Sequence, residues 1–122
     1  MRTAQIPCLF LSPYRADSQV GIMRNVMIAR DYCRALTIAG YSPLAPHLLN
    51  TQYLDDDIES ERYLGIKSGL AWMPFARFVF VMKGEISEGM AQEIAEARSL
   101  GIELKTVEMI DGGLIIEAFK EE

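Results

Sequence analysis

The chain has 122 residues, half of them hydrophobic and 24% charged, with a net charge of −5. This composition predicts one globular domain over residues 1–122 with a single sizeable core. The acidic charge argues against a surface for nucleic-acid polymers or membranes, although a local site can still bind one small phosphorylated ligand. The N-terminal apolar run stops at Pro13, too short for a membrane span and without a signal-peptide cleavage site, so a cytoplasmic location is expected.

Apolar runs of strand length alternate with helical patterns along the chain. Four strands are predicted, over residues 6–11, 41–46, 77–82 and 102–107. The first helix is marked by apolar residues from Ile22 to Leu36 and ends at Gly40, the second covers about Ile58–Trp72, and the third covers Ser87–Leu100. A polar loop is expected over residues 47–57. The tail from Met109 turns at 111–113 and is open between strand and helix.

This alternation predicts an α/β fold, a three-layer Rossmann/flavodoxin-like domain with a mainly parallel sheet of four to five strands. In such folds, ligands bind beyond the carboxyl ends of the strands, at the point where the strand order reverses. The segments after the first three strands are therefore the candidate site. They are "SPYR", "PHLLNTQYLDDD" and "KGEISEG".

Glu93 is the most unusual residue of the third helix. Met90, Ile94, Ala97 and Leu100 form one apolar stripe, and Glu93 projects inside it. A carboxylate on a core-facing stripe costs free energy unless it is paired or hydrogen-bonded. Glu93 is thus either a functional residue near the strand ends or a boundary residue on a narrower stripe.

The start of the same helix is a possible anion site. Ser87 is a plausible N-cap, and Gly89 allows a ligand to approach the backbone where free N–H groups and the helix dipole favour negative charge. Most helices have such a cap, and two nearby glutamates oppose an anion. The Gly84-to-Gly89 spacing lacks the Lys-Ser/Thr of a P-loop, which excludes an NTPase of that class.

The loops offer further candidates, each with a plain structural alternative. Tyr14 has a ring that can stack on a base or sugar, and Arg15 can pair with a phosphate; both are equally compatible with an exposed turn. His47, the only histidine, can contact a base or be incidental. Asp57 is expected to cap the second helix, although one of the aspartates 55–57 can instead serve as a general acid.

No metal or other cofactor is expected. The chain has one histidine, and the spacing of its two cysteines, Cys8 and Cys33, fits no zinc or redox motif. Both cysteines fall in apolar patterns and are read as small buried hydrophobic residues.

Four motifs in order carry a family resemblance: "SPYR", Asn25 followed by Ala29, "GYSPLAPH", and "SEGMAQEIAEA". Together they resemble an uncharacterised bacterial and phage branch of the nucleoside 2-deoxyribosyltransferase-like superfamily, from about Ile6 to Leu104. The resemblance implies that Glu93 is a nucleophile that attacks the anomeric carbon of a sugar and expels the base. It also implies a homodimer or larger homo-oligomer, and the second helix and Met73–Phe78 are candidates for that contact.

The same resemblance implies a set of substrate-binding residues drawn from the matching motifs. The turn at Ser87 and Gly89 would hold a 5′-phosphate or a sugar hydroxyl, and the first loop would line the sugar and phosphate pocket. The expected binding residues are Ser12, Tyr14, Arg15, Asn25, His47, Ser87 and Gly89, and the expected catalytic residues are Glu93 and Asp57.

One departure from the family pattern divides the functional hypotheses. Many relatives have an aspartate beside the third strand that helps to protonate the leaving base, whereas this chain has Glu85 in the following turn. The leading hypothesis is an enzyme that cleaves or transfers the N-glycosidic bond of a nucleoside or nucleoside 5′-monophosphate. The alternatives are a non-catalytic nucleotide or nucleotide-signal binding protein and an interaction module without a working site.

Overall fold

A computed structural model describes residues 4–120; the first three and last two residues of the expected domain lie outside it. The strands are β1 (Ile6–Leu11), β2 (Tyr41–Leu44), β3 (Phe78–Met82), β4 (Glu103–Ile110) and β5 (Gly113–Ala118). The helices are α1 (Gln19–Ile38), α2 (Pro46–Asn50), α3 (Glu59–Trp72), a 3₁₀ turn at Met73–Phe75, and α4 (Glu88–Ser99). Among the described residues, no helix has the length and apolar character needed to cross a membrane.

The five strands form one sheet in the order β2-β1-β3-β4-β5. The first four strands are parallel, and β5 pairs antiparallel with β4 through a turn at Asp111 and Gly112, both with positive φ. This is the flavodoxin-like order, so the predicted α/β fold with a mainly parallel sheet is confirmed. The strand order reverses between β1 and β3, which places a crevice beyond their carboxyl ends.

Two apolar clusters, one on each face of the sheet, make the three layers. Along β1 the side chains alternate: Cys8 and Phe10 join one cluster, whereas Leu9 and Leu11 join the other. Helix α1 covers the first face through Ala29, Tyr32 and Leu36, and the Tyr32 hydroxyl accepts a hydrogen bond from the backbone of β4. Helix α4 covers the second face through Met90, Ile94 and Ala97.

Several predicted boundaries differ from the observed ones. Helix α2 lies within the segment predicted as a polar loop, because Pro46, read as the end of a strand, instead occupies the first turn of a helix, where its missing N–H costs nothing. β2 accordingly ends at Leu44. The tail is a strand, β5. Leu100, expected in the buried stripe of α4, is its exposed C-cap residue.

Two expectations about α3 and its end are wrong. The N-cap of α3 is Ile58, with no side-chain capping hydrogen bond, so Asp57 does not cap the helix. Met73, proposed as part of a subunit contact, is fully buried in the core beside β1 and β3. Phe75 and Trp72 on either side of it are exposed.

Candidate functional site

A cavity of about 300 Å³ opens beyond the carboxyl ends of β1, β2 and β3. Its volume lies at the lower end of the range for small-molecule sites. Its walls come from the loop after β1, helix α2 with the loop that follows it, α3, and the start of α4. The lining residues are Ser12, Tyr14, Arg15, Pro46, His47, Asn50, Thr51, Leu54, Asp56, Glu61, Arg62, Gly65, Ile66, Ser87, Glu88, Gly89, Met90 and Glu93.

Most of the residues singled out from the sequence meet in this cavity. Those that line it are Ser12, Tyr14, Arg15, His47, Ser87, Gly89 and Glu93. Asn25 and Asp57 do not line it. Neither does Glu85, the carboxylate in the turn after β3.

Glu93 lies in the second turn of α4, between the buried side chains of Met90 and Ile94. It is partly buried in the cavity wall, and no hydrogen bond or ion pair joins it to another residue in the described range 4–120. Burial raises the pKa of its carboxyl from 4.5 to about 7, because the ionised form loses hydration there. At neutral pH the Glu93 side chain therefore exists as both acid and carboxylate.

Ser87 is the N-cap of α4, as predicted, and its hydroxyl accepts a hydrogen bond of 3.2 Å from the backbone N–H of Met90. Glu88 follows in the first turn and also faces the cavity. A carboxylate at this position already complements the positive end of the helix dipole. Glu88 therefore weakens the N-terminus of α4 as an anion site, as expected from the nearby glutamates in the sequence.

Ser12 and His47 form a hydrogen-bonded pair at the ends of β1 and β2. The Ser12 hydroxyl lies 3.0 Å from Nε2 of His47, and Ser12 is only 4% exposed. Burial lowers the pKa of His47 to about 4, against an opposing hydrogen-bond contribution from the Ser12 backbone. His47 is therefore neutral at pH 7.

The side chain of Asn25 holds the loop after β1 in place. The Asn25 amide donates hydrogen bonds to the backbone carbonyls of Tyr14, at 3.0 Å, and Arg15, at 3.5 Å. The Tyr14 ring in turn lies 5.6 Å from the His47 ring between centroids. Asn25, expected to bind substrate, does not line the cavity, and its side chain holds the loop that presents Tyr14 and Arg15 there.

Asp56, not Asp57, is the aspartate in the cavity. Asp57 is exposed and lines a neighbouring depression at the start of α1, and its backbone N–H donates a hydrogen bond to the Asp55 carboxylate. Asp56 lies 3.5 Å from the Arg15 guanidinium. Burial raises the pKa of Asp56, while the positive charges of Arg15 and Arg62 oppose the rise.

The sequence did not predict that α2 and α3 form one wall of the cavity. Asn50 is buried at the end of α2, and its amide donates a hydrogen bond of 2.7 Å to the Gly65 carbonyl of α3. Arg62, Gly65 and Ile66 share the face of α3 that lines the cavity. Their spacing of three and four residues is a helical-face signal, but it mixes charged, small and apolar types and so carries no amphipathic pattern.

The cavity is thus a mixed-charge site with more carboxyl than guanidinium groups. Asp56, Glu61, Glu88 and Glu93 face two arginines, of which Arg15 is already paired. Within residues 4–120, no three His, Cys, Asp or Glu side chains are grouped to hold a metal ion. The arrangement offers two carboxyl groups of raised pKa, a fixed serine hydroxyl and an aromatic ring around one small-molecule space.

The chain matches one family model, and its fold is similar to that of a solved structure. Residues 8–107 match the model of a family described as a domain of unknown function, DUF7768. No curated protein matches the chain. A solved structure of the 2-deoxyribosyltransferase from the psychrotolerant bacterium Bacillus psychrosaccharolyticus is similar, with a TM-score of 0.62 and 17% identity over 86% of this chain and 77% of that chain.

At 17% identity, this similarity shows that the two chains share a fold. The family model covers 100 consecutive residues, from Cys8 within β1 through most of β4. The chain belongs to the DUF7768 family.

Proposed function

We propose that this protein cleaves or transfers the N-glycosidic bond of a nucleoside, with Glu93 as the nucleophile. The observation that carries the proposal is the Glu93 carboxyl, partly buried in the wall of a nucleoside-sized cavity, with a pKa raised to about 7. A structural carboxylate would be paired or hydrogen-bonded, and Glu93 has neither kind of partner among residues 4–120. The similar fold of a 2-deoxyribosyltransferase supports the reaction class.

The proposed chemistry has two steps on one carboxylate. Ionised Glu93 attacks the anomeric carbon, the C–N bond breaks, and its electron pair leaves with the base. The sugar is then held as an ester on Glu93. Water or a second base attacks the anomeric carbon and releases the Glu93 carboxylate. An oxocarbenium-like transition state gains from the nearby negative charge.

We propose Asp56 in place of Asp57 as the general acid that protonates the leaving base. Burial raises the pKa of Asp56 above its ordinary value, which is the direction that a general acid requires. Asp56 also lines the same cavity as Glu93, whereas Asp57 and Glu85 do not. The aspartate found beside the third strand in relatives would then be replaced by one from the loop before α3.

The charges in the cavity favour a nucleoside over a nucleoside 5′-monophosphate. Glu88 occupies the first turn of α4, where a phosphate would otherwise gain from the free N–H groups and the dipole. Arg15 is engaged with Asp56. A sugar hydroxyl can donate a hydrogen bond to a carboxylate such as Glu88, whereas a phosphate would be repelled by it.

A non-catalytic nucleoside or nucleotide binding protein is the second candidate. It is favoured by the same lack of a partner for Glu93 within residues 4–120, because no side chain there orients the carboxyl for attack. In that case the cavity would hold its ligand without turnover, and protonated Glu93 would serve as a hydrogen-bond donor.

The test is base release from a panel of ribo- and deoxynucleosides and their 5′-monophosphates, followed by chromatography. Glu93→Gln removes the nucleophile and keeps the side-chain volume, and Glu96→Gln, one turn along α4 and outside the cavity, is the matched control. Release that persists in Glu96→Gln and disappears in Glu93→Gln supports the enzyme. Thermal shifts without release support the binding protein, and neither response from any compound rejects both.

A further inference from the structure

We propose that Nε2–H of His47 donates its hydrogen bond to Ser12, so that the Ser12 hydroxyl is free to donate to an acceptor atom of the ligand. Ser12 would then be a specificity-determining residue and His47 the residue that orients it. The ligand part of this inference rests on the proposed function. The proton assignment does not.

The geometry allows two arrangements of one neutral ring. The Ser12 hydroxyl and Nε2 of His47 are 3.0 Å apart, so one donates and the other accepts. If the hydroxyl donates, the ring proton must be on Nδ1. If Nε2 carries the proton and donates, Nδ1 is an unprotonated acceptor and the hydroxyl proton of Ser12 points elsewhere.

The surroundings of Nδ1 decide between the two. Nδ1 is buried, and it has no hydrogen-bond partner among residues 4–120. A buried N–H without an acceptor is rarer in folded proteins than an acceptor with an unused lone pair. The arrangement with a bare Nδ1 avoids a buried N–H without an acceptor and leaves the Ser12 proton free to point into the cavity, and on this ground we assign the ring proton to Nε2.

The environment of the pair is consistent with a neutral ring. Burial holds the pKa of His47 near 4, so the ring carries one proton, not two, at neutral pH. His47 is also the first residue after Pro46 in α2, and its carbonyl accepts a hydrogen bond of 2.5 Å from the Thr51 hydroxyl. The His47 ring therefore projects from a short helix that starts at Pro46 and is closed by the Thr51 hydrogen bond.

If His47 is the donor, the hydroxyl proton of Ser12 can point into the cavity. Ser12 lines the cavity but is only 4% exposed, so its hydroxyl reaches a bound molecule rather than bulk water. A ligand acceptor, such as a carbonyl oxygen or ring nitrogen of a base or a sugar oxygen, would satisfy it. This arrangement also argues against Ser12 as a nucleophile, because the neighbouring ring nitrogen is already protonated and cannot take its proton.

The proton assignment can be measured directly because the chain has one histidine. In ¹⁵N-histidine-labelled protein at pH 7, the two ring nitrogens give different shifts according to which carries the proton. We expect Nε2 protonated and Nδ1 bare. We also expect the Nε2 proton to exchange more slowly with solvent in wild type than in Ser12→Ala, which removes its acceptor. A proton on Nδ1 overturns the inference.

The ligand part is tested with the nucleoside that gives the largest thermal shift in the panel. Ser12→Ala should weaken its binding about ten-fold, the range of one neutral hydrogen bond. Thr37→Ala, which removes a hydroxyl bonded within α1, should leave binding unchanged. Unchanged affinity in Ser12→Ala overturns the donor role. If no nucleoside binds wild type, the proposed function fails, while the ¹⁵N measurement still decides the assignment.

Discussion

The side-chain amide of Asn50 donates a hydrogen bond of 2.7 Å to the backbone carbonyl of Gly65, joining α2 to the middle of α3. The Asn50 side-chain oxygen also accepts a hydrogen bond from the Tyr53 hydroxyl. Because α2 carries His47 and α3 carries Arg62, this one buried amide holds two walls of the cavity together. Asn50 is therefore a positioning residue for the site.

Asn50→Asp should destabilise the protein by about 1–3 kcal/mol, because the new carboxylate faces the Gly65 carbonyl without a donor between them. Gln52→Glu is the matched control: it makes the same change of group and charge at an exposed amide bonded within its own turn. Urea unfolding of both variants measures the difference. Equal loss in the two would mean that the charge alone, not the α2–α3 bond, is responsible.

The two glycines of α3 should respond oppositely to alanine. At Gly69 an added Cβ would lie 2.8 Å from Cβ and 2.9 Å from Cγ of Pro46, so α2 must move; we expect a loss of about 1–3 kcal/mol. At Gly65 the nearest atoms are 3.6 Å away, an ordinary contact. Gly65→Ala should therefore be neutral or stabilising by up to about 1 kcal/mol through helix propensity. Thermal unfolding measures both, and loss of stability at Gly65 would contradict the close-packing argument.

Glu93 should make the protein less stable as pH rises. Its pKa is about 7 in the folded state against 4.5 in the unfolded state, so between these values the folded state binds more protons and the free energy of unfolding falls with pH. The full penalty above pH 7 is about 3 kcal/mol. Glu93→Gln should thus match wild type near pH 4 and exceed it by about this amount at pH 8.

His47 titrates in an overlapping window with the opposite sign. Its folded pKa of about 4 lies below its unfolded value of 6.5, so its contribution is complete above pH 6.5 and is lost as pH falls toward 4. The Glu93 effect must therefore be taken as the difference between wild type and Glu93→Gln at each pH, where the His47 contribution cancels. A difference that stays constant from pH 4 to pH 8 would show that Glu93 is not buried as described.

The sequence predicts the fold well because β1 and β3 are continuous apolar runs, as expected for strands covered on both faces, and because apolar residues recur every three to four residues in α1 and α4. The same period predicts Glu93, because a carboxylate breaks an apolar stripe. The wall made by Asn50 and Arg62 is not predicted, because a proline can end a strand or start a helix, and the local sequence does not distinguish these two roles for Pro46. The sequence also does not tell which of the three consecutive aspartates 55–57 faces the cavity, because the direction of each side chain depends on the local backbone conformation of the loop.

The adjacent aspartates 56 and 57 give a sharp test of the general acid. Asp56→Asn removes the proton donor in the cavity and should lower base release by about 10²–10⁴-fold, whereas Asp57→Asn should stay within about two-fold of wild type. Substrates with an activated leaving group need less protonation and should lose less in Asp56→Asn. The Arg15–Asp56 pair is largely exposed on the arginine side, so we expect little change in melting temperature. Equal activity of the two variants would exclude Asp56 as the acid.

We propose that copies of this chain associate through the exposed aromatic residues at the end of α3, as the superfamily resemblance implies. Phe75 is 73% exposed, and its ring packs edge-on against exposed Trp72, at 6.4 Å between centroids. Phe75→Glu should shift the protein from dimer to monomer in light scattering, because a carboxylate in an apolar contact loses its hydration.

Ile38→Glu is the matched control for this contact, since Ile38 is 71% exposed at the end of α1, on the opposite face of the sheet. It introduces the same charge at similar exposure and should leave the dimer intact. A wild-type protein that stays monomeric at all concentrations, or equal dissociation in both variants, would contradict the proposed contact. Base release measured on the Phe75→Glu monomer would then show whether the reaction needs a second copy.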